Sequence, residues 1–211
     1  MDVFLFLNGS DKKCTRCAEH IAEHRKKGDP VLCADGGYYL AVEAGVVPDL
    51  VIGDFDSLEE GDVEDGVEVV RFPERKDYSD FELALQFSER YNPACVYVYG
   101  ALGGRADHAL INILLLYRAP FPVVFIDSDM EVYNVRERLV LEGRSGCICS
   151  LITFSGDCVV DRMEGFRYTL ENETLAPSSR GLSNVITSDR AEISVGGGTL
   201  VVMVGTQRTE E

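Results

Sequence analysis

The feature that most constrains this chain is a change of rhythm near residue 130. Before it, short apolar runs alternate with helix-like segments, and nearly every run stops at glycine or aspartate. The run 3–7 stops at Asn8-Gly9-Ser10, 31–34 at Asp35-Gly36-Gly37, 50–52 at Gly53-Asp54, 96–99 at Gly100 and 123–126 at Asp127. A further strand-like run covers 67–72. Helical patterns cover 14–27, 38–44, 79–91 and 107–117, and Ser79-Asp80-Phe81-Glu82 fits a capping box. Apolar runs that alternate with helices predict a mostly parallel sheet covered on both faces. After residue 130 only short β-branched runs remain, such as 147–154, 191–195 and 199–204, the last two joined by Gly196-Gly197-Gly198. The expected fold is a doubly wound α/β domain over residues 1–128, followed by a small all-β sandwich over residues 129–211.

Charge narrows the function. The 211 residues carry 36 acids and 20 bases, a net charge of -16. That excludes a nucleic-acid binder relying on a basic surface. No apolar run is long enough to cross a membrane, and the first residues lack the pattern of a secretory signal, so the expected compartment is the cytoplasm. Seven scattered cysteines, an odd number, are expected to be reduced. Cys14 and Cys17 form a CxxC beside His20 and His24. Four ligands on one short helix surround an ion poorly, so the expectation is ordinary helix residues.

In an open α/β sheet, ligands bind beyond the carboxyl ends of the strands. Those ends hold Asp35, the segment Gly53-Asp54-Phe55-Asp56-Ser57, the segment Lys76-Asp77-Tyr78-Ser79-Asp80, and Gly103-Gly104-Arg105-Ala106-Asp107-His108. Carboxylates converging on one edge repel unless a cation lies among them. In an extended segment Asp54 and Asp56 project to one side roughly 7 Å apart, which suits two hard oxygen ligands on one or two magnesium ions. Asp77 and Asp80 offer a second pair. Arg105 follows two glycines and precedes a helix, an arrangement that suits a phosphate. Each motif also has a plain structural role: Asp54 and Asp56 as turn residues, Ser79 and Asp80 as a helix cap, Arg105 in an ion pair with Asp107, and His108 as a structural helix residue. No GxxxxGK[ST], intact GxGxxG or GxSxG occurs. The residues therefore point to an acidic, metal-dependent site for a phosphate-bearing ligand.

Taken together, Ala34-Asp35-Gly36-Gly37, Pro48-Asp49-Leu50-Val51-Ile52-Gly53-Asp54-Phe55-Asp56-Ser57, Lys76-Asp77-Tyr78-Ser79-Asp80 and Gly103-Gly104-Arg105-Ala106-Asp107-His108 resemble the thiamine pyrophosphokinase family. Gly181-Leu182-Ser183-Asn184 resembles that family's C-terminal signature. The resemblance implies transfer of a pyrophosphoryl group from ATP to the thiamine hydroxyl, with release of AMP. It implies Mg2+ and a homodimer with active sites between subunits. It also implies Asp54, Asp56 and Asp80 as metal ligands, and Asp77, Arg105 and Asp107 as catalytic groups. Asp35, Gly36, Gly37, Ser79, Gly103, Gly104 and His108 would border the nucleotide, and Ser183 and Asn184 would lie near thiamine. Some members place a tryptophan in the C-terminal signature to stack on thiamine. This chain has no tryptophan, which leaves Phe166 and Tyr168 as candidates.

Other readings compete. One is a pyrophosphokinase for another hydroxymethyl heterocycle, such as a pterin. A second is a metal-dependent phosphohydrolase, and a third is a non-catalytic nucleotide or thiamine sensor.

Overall fold

The structure is a computed structural model, and it describes residues 1–9, 15–58, 61–73 and 77–208. Ser10, Cys14, Glu59, Glu60 and Lys76 lie outside the described residues. The chain divides into two compact units, Met1–Ser128 and Asp129–Glu211.

Among the described residues the first unit contains six parallel strands. In chain order they are β1 (Asp2–Phe6), β2 (Val31–Ala34), β3 (Leu50–Gly53), β4 (Glu68–Arg71), β5 (Cys95–Tyr99) and β6 (Val123–Ile126). They lie side by side as β6-β5-β1-β2-β3-β4, every pair parallel. The helices are α1 (Thr15–His24), α2 (Gly37–Glu43), α3 (Asp80–Ser88) and α4 (Ala106–Arg118). From β1 the chain steps outward to β4, then returns to lay β5 on the other side of β1. Right-handed crossovers in opposite directions put α1 and α2 on one face and α3 and α4 on the other. The strand order therefore reverses between β1 and β5, where such sheets open a crevice at their carboxyl edge.

Continuous burial explains why β1, β2, β3 and β6 read as unbroken apolar runs, whereas β4, at the sheet edge, is largely exposed. Val3, Phe4, Leu5 and Phe6 have no exposed surface, and the same holds for Val31, Leu32 and Cys33. Phe4 stacks on Tyr97 and Phe6 on Tyr99 of the neighbouring β5, with ring centroids 5.4 and 4.6 Å apart. Element ends differ slightly from expectation. The pattern over 79–91 forms α3 only to Ser88, then one 3-10 turn, Glu89–Tyr91, ending at left-handed Asn92. The first helix runs Thr15–His24, shorter than expected. Cys17 is disulfide-bonded, which corrects the expectation that every cysteine is reduced; Cys33, Cys95, Cys147, Cys149 and Cys158 are free. Among the described residues no helix is long and apolar enough to cross a membrane.

The second unit is all β. One sheet orders β12 (Asn184–Val185), β9 (Cys147–Ile152), β14 (Leu200–Arg208) and β7 (Met130–Val135), all antiparallel. The other orders β11 (Glu171–Leu175), β10 (Cys158–Glu164), β13 (Arg190–Gly197) and β8 (Arg138–Glu142). Here burial alternates, as in β9 with Cys147, Cys149 and Leu151 inward. Those residues pack with Val160, Met163, Ile193, Leu200 and Val202 from both sheets into one core, the signature of a sandwich.

Candidate active site

The cleft at the carboxyl edge of the first unit has a volume of about 490 Å³, within the range of small-molecule sites. Its walls come from the segments that follow β1, β2, β3 and β5 and from the starts of α3 and α4. It thus sits where the strand order reverses.

Three carboxylates meet beside it, of which Asp35 and Asp56 line it and Asp54 does not. Asp35, Asp54 and Asp56 each offer an oxygen, and these oxygens lie within 4.8 Å of one another. The parallel register creates the meeting. Ala34 pairs with Ile52, so Asp35 stands beside Gly53, and a Cβ on Gly53 would lie 2.8 Å from the Asp35 Cβ. Only glycine allows that approach. Asp35 is itself left-handed, with φ 46, and its amide donates to the Ile52 carbonyl at 2.7 Å. One Asp35 oxygen accepts from the Ser57 hydroxyl, and the Asn8 amide donates to the same Ser57 oxygen at 3.1 Å. The other, Asp35 Oδ1, is buried and has no hydrogen-bond partner.

A buried, unpartnered carboxylate oxygen facing two more carboxylates is costly alone and well suited to a cation. The electrostatics agree. Asp54 above all, then burial, Asp35 and Asp80, push the Asp56 carboxyl above its ordinary pKa. The donor set, all hard oxygen, fits magnesium.

The way Asp54 and Asp56 converge differs from the sequence expectation. They do not sit on an extended segment. Phe55 between them is left-handed, with φ 65, and the Asp56 amide turns back toward Asp54 Oδ1 at 3.4 Å. Across this kink their carboxylate oxygens lie within 4.8 Å of each other.

The remaining candidates separate. Asp80 lines the cleft and acts on Asp56 through its charge, but lies outside the close trio. Ser79 also lines the cleft while capping α3, its hydroxyl accepting from the Glu82 amide at 3.2 Å. Asp77 is exposed and does not line the cleft. Gly36 precedes α2 and Gly37 opens it; neither lines the cleft.

Gly103, Gly104, Arg105 and His108 form the opposite wall. Both glycines are left-handed, with φ 83 and 65, so the chain doubles back before α4 begins. Arg105 grips Asp107 through two bonds, Nε to Oδ1 at 3.1 Å and Nη2 to Oδ2 at 2.6 Å. Both side chains are largely exposed. The Arg105 hydrogen bond holds the Asp107 carboxyl down to about 2. Asp107 is therefore a weak proton acceptor, but it aims the guanidinium. Sequence reasoning missed Asn112, which is buried and donates to the Ala101 carbonyl at 2.8 Å, tying α4 to the segment after β5. An asparagine inside the apolar stretch of α4 was the available signal.

The second unit has its own cavity, of about 330 Å³, lined among others by Leu151, Met163, Tyr168, Leu170, Leu182 and Asn184. Asn184 is 7% exposed, and its carboxamide is occupied. Its nitrogen donates to the Tyr168 carbonyl at 2.7 Å, and its oxygen accepts from the Tyr168 and Val185 amides at 3.0 and 2.8 Å. It thus acts as a substitute backbone and pins the segment that carries Tyr168. Ser183 is left-handed and exposed, its amide donating to the Ser150 hydroxyl at 3.1 Å. The two aromatic candidates part company: Phe166 is a core residue at 5% exposed, whereas Tyr168 stands at the cavity 69% exposed.

Comparison with known proteins gives a consistent result. Residues 22–126 match the family model described as thiamin pyrophosphokinase, catalytic domain, and residues 136–200 match thiamin pyrophosphokinase, vitamin B1 binding domain. The chain is 29% identical over 182 residues to thiamine pyrophosphokinase of Bacillus subtilis, covering 82% of this chain and 85% of that protein. It is 28% identical to thiamine pyrophosphokinase 1 of Oryza sativa subsp. japonica over 70% of this chain and 62% of that protein. The crystal structure of the Bacillus subtilis protein superposes with a TM-score of 0.83 at 24% identity, covering 98% of this chain and all of that one, a likeness of fold.

Proposed function

The chain belongs to the thiamin pyrophosphokinase family of enzymes, and from that premise we propose that it transfers the pyrophosphoryl group of ATP to the hydroxyl of thiamine, giving thiamine diphosphate and AMP. The observation that carries this reading is the trio Asp35, Asp54 and Asp56, with its unpartnered buried oxygen, two of whose members, Asp35 and Asp56, line the same cleft as Arg105.

In this reading Asp35, Asp54 and Asp56 hold Mg2+, with Asp80 adding its charge nearby. The bound ion supplies neutralisation of the triphosphate. The thiamine oxygen attacks the β-phosphorus, the bond to the oxygen bridging the α- and β-phosphates breaks, AMP departs, and the alcohol proton is released. The protein's part is alignment and charge stabilisation. Arg105, aimed by Asp107, meets the phosphate oxygens, and the backbone of Gly103 and Gly104 lets the chain approach them closely. Asn112 keeps that wall in place. Tyr168, held by Asn184, offers a ring face to the thiamine heterocycles in place of tryptophan. The reading includes a homodimer with active sites between subunits, working in the cytoplasm; family membership supports the former.

The test is direct. The purified chain is incubated with ATP, magnesium and either thiamine or a hydroxymethylpterin, and AMP and the diphosphate product are measured. Thiamine-dependent AMP release is expected. Equal turnover on the pterin, or phosphate release without any alcohol acceptor, would overturn the reading.

A further inference from the structure

Asp54 and Asp56 reach the trio through Phe55, whose left-handed backbone, φ 65, is unfavourable for a bulky side chain. Such a conformation persists only where its surroundings hold it. The guanidinium of Arg71 lies 4.3 Å from the centroid of the Phe55 ring. Arg71 is anchored in turn. It is the last residue of β4, paired with Gly53, and the next amide, that of Phe72, donates to the Gly53 carbonyl at 2.9 Å. The strand ladder thus ends one residue before Asp54, and the side-chain stack carries the restraint on to Phe55.

The guanidinium of Arg71 lies over the face of the Phe55 ring, a contact that fixes where the ring sits.

We infer that the Arg71–Phe55 stack is a positioning device: it holds the left-handed turn that swings Asp54 and Asp56 toward Asp35. Arg71 and Phe55 act through the carboxylates and not on substrate. Were the turn to relax to an extended segment, the backbone positions of Asp54 and Asp56 would stand roughly 7 Å apart and their carboxylates would lose the present placement beside Asp35. The inference rests on reading the trio as a cation site, which the unpartnered Asp35 oxygen supports independently.

The experiment measures manganese(II) binding to the nucleotide-free protein, by calorimetry or by the electron paramagnetic resonance of the free ion. The variants are Phe55→Leu, Arg71→Met, both together, and Arg71→Lys. Each of the first two weakens manganese affinity about two- to fivefold, the range a partly exposed cation–π contact supports. The double variant is no weaker than the worse single, because either change removes the same contact. Arg71→Lys retains most of the affinity. Thermal midpoints, read in the metal-free state, stay near that of the parent. Unchanged affinity in the folded single variants, or fully additive losses in the double, overturns the inference while leaving the cation site standing. A parent chain that binds no manganese removes the cation reading and this inference together. If Phe55→Leu fails to fold, Arg71→Met against Arg71→Lys decides alone, and equal affinities refute the stack.

Discussion

Replacing Asp35 with asparagine separates stability from function, because its two effects have opposite signs. The substitution suits the backbone, since asparagine tolerates the left-handed conformation seen at φ 46. The Ser57 bond survives, because a carboxamide oxygen also accepts. The unpartnered Asp35 Oδ1 is exchanged for an amide that can donate toward Asp54 or Asp56. The electrostatic gain follows from the spacing. Charges within 4.8 Å of each other repel by roughly 0.9 kcal/mol even at the dielectric of water, and Asp35 faces two of them. With salt screening, about 1–2 kcal/mol is released in the metal-free protein. That corresponds to a rise in Tm of roughly 3–6 °C for a unit of this size. Cation affinity and turnover move the other way. Loss of one charged ligand should lower kcat by on the order of a hundredfold. Differential scanning fluorimetry with chelator and then with a manganese series, alongside an AMP-release assay, reads both. A metal-free Tm at or below the parent's, with undiminished stabilisation by manganese, would refute the argument that these three carboxylates form a frustrated cation site.

Further outcomes follow from the other wall and from the second unit. Arg105→Lys keeps a positive charge but loses the planar fork, so kcat should fall at least about tenfold with little change in Tm. The Asp107 carboxyl is depressed to about 2 by Arg105, so their ion pair is complete above the ordinary carboxylate pKa and is lost as pH falls toward 2; carbon-13 NMR of Asp107 should show its midpoint move up in Arg105→Ala. Tyr168→Ala should raise KM for thiamine by about two- to tenfold, the size of an aromatic stacking term, leave KM for ATP unchanged, and be rescued by Tyr168→Phe. Asn184→Ala leaves the Tyr168 amide and carbonyl unpaired beside a buried site, which should cost about 2–3 kcal/mol in urea denaturation.

Much of the architecture was legible in the chain because it depends on local periodicity. Strands buried on both faces must be apolar throughout, as 3–6 and 31–34 are, whereas sandwich strands such as β9 must alternate. Turn residues mark the strand ends, and Ser79 announced its cap. Asp54 and Asp56 were visible as a pair, yet the reason for their convergence was read wrongly. A two-residue period assumes an extended backbone, and the left-handed Phe55 breaks that assumption. Asp77 is a motif position with suitable chemistry, and it is exposed.

The sequence by itself determined the order of elements, the change of class near residue 130, the family, and the short list of residues at the sheet's carboxyl edge. Those properties are written in composition and spacing along the chain. Only the tertiary structure decided that Asp35 joins Asp54 and Asp56, that Arg71 stacks on the residue between them, and that the Asn184 carboxamide is engaged with backbone. The physical reason is that these are contacts between segments distant in sequence. They follow from the register of β2 on β3 and of β3 on β4, and from the pinning of the Tyr168 segment beside β12. Such contacts stabilise dihedrals and side-chain placements that no local preference would select.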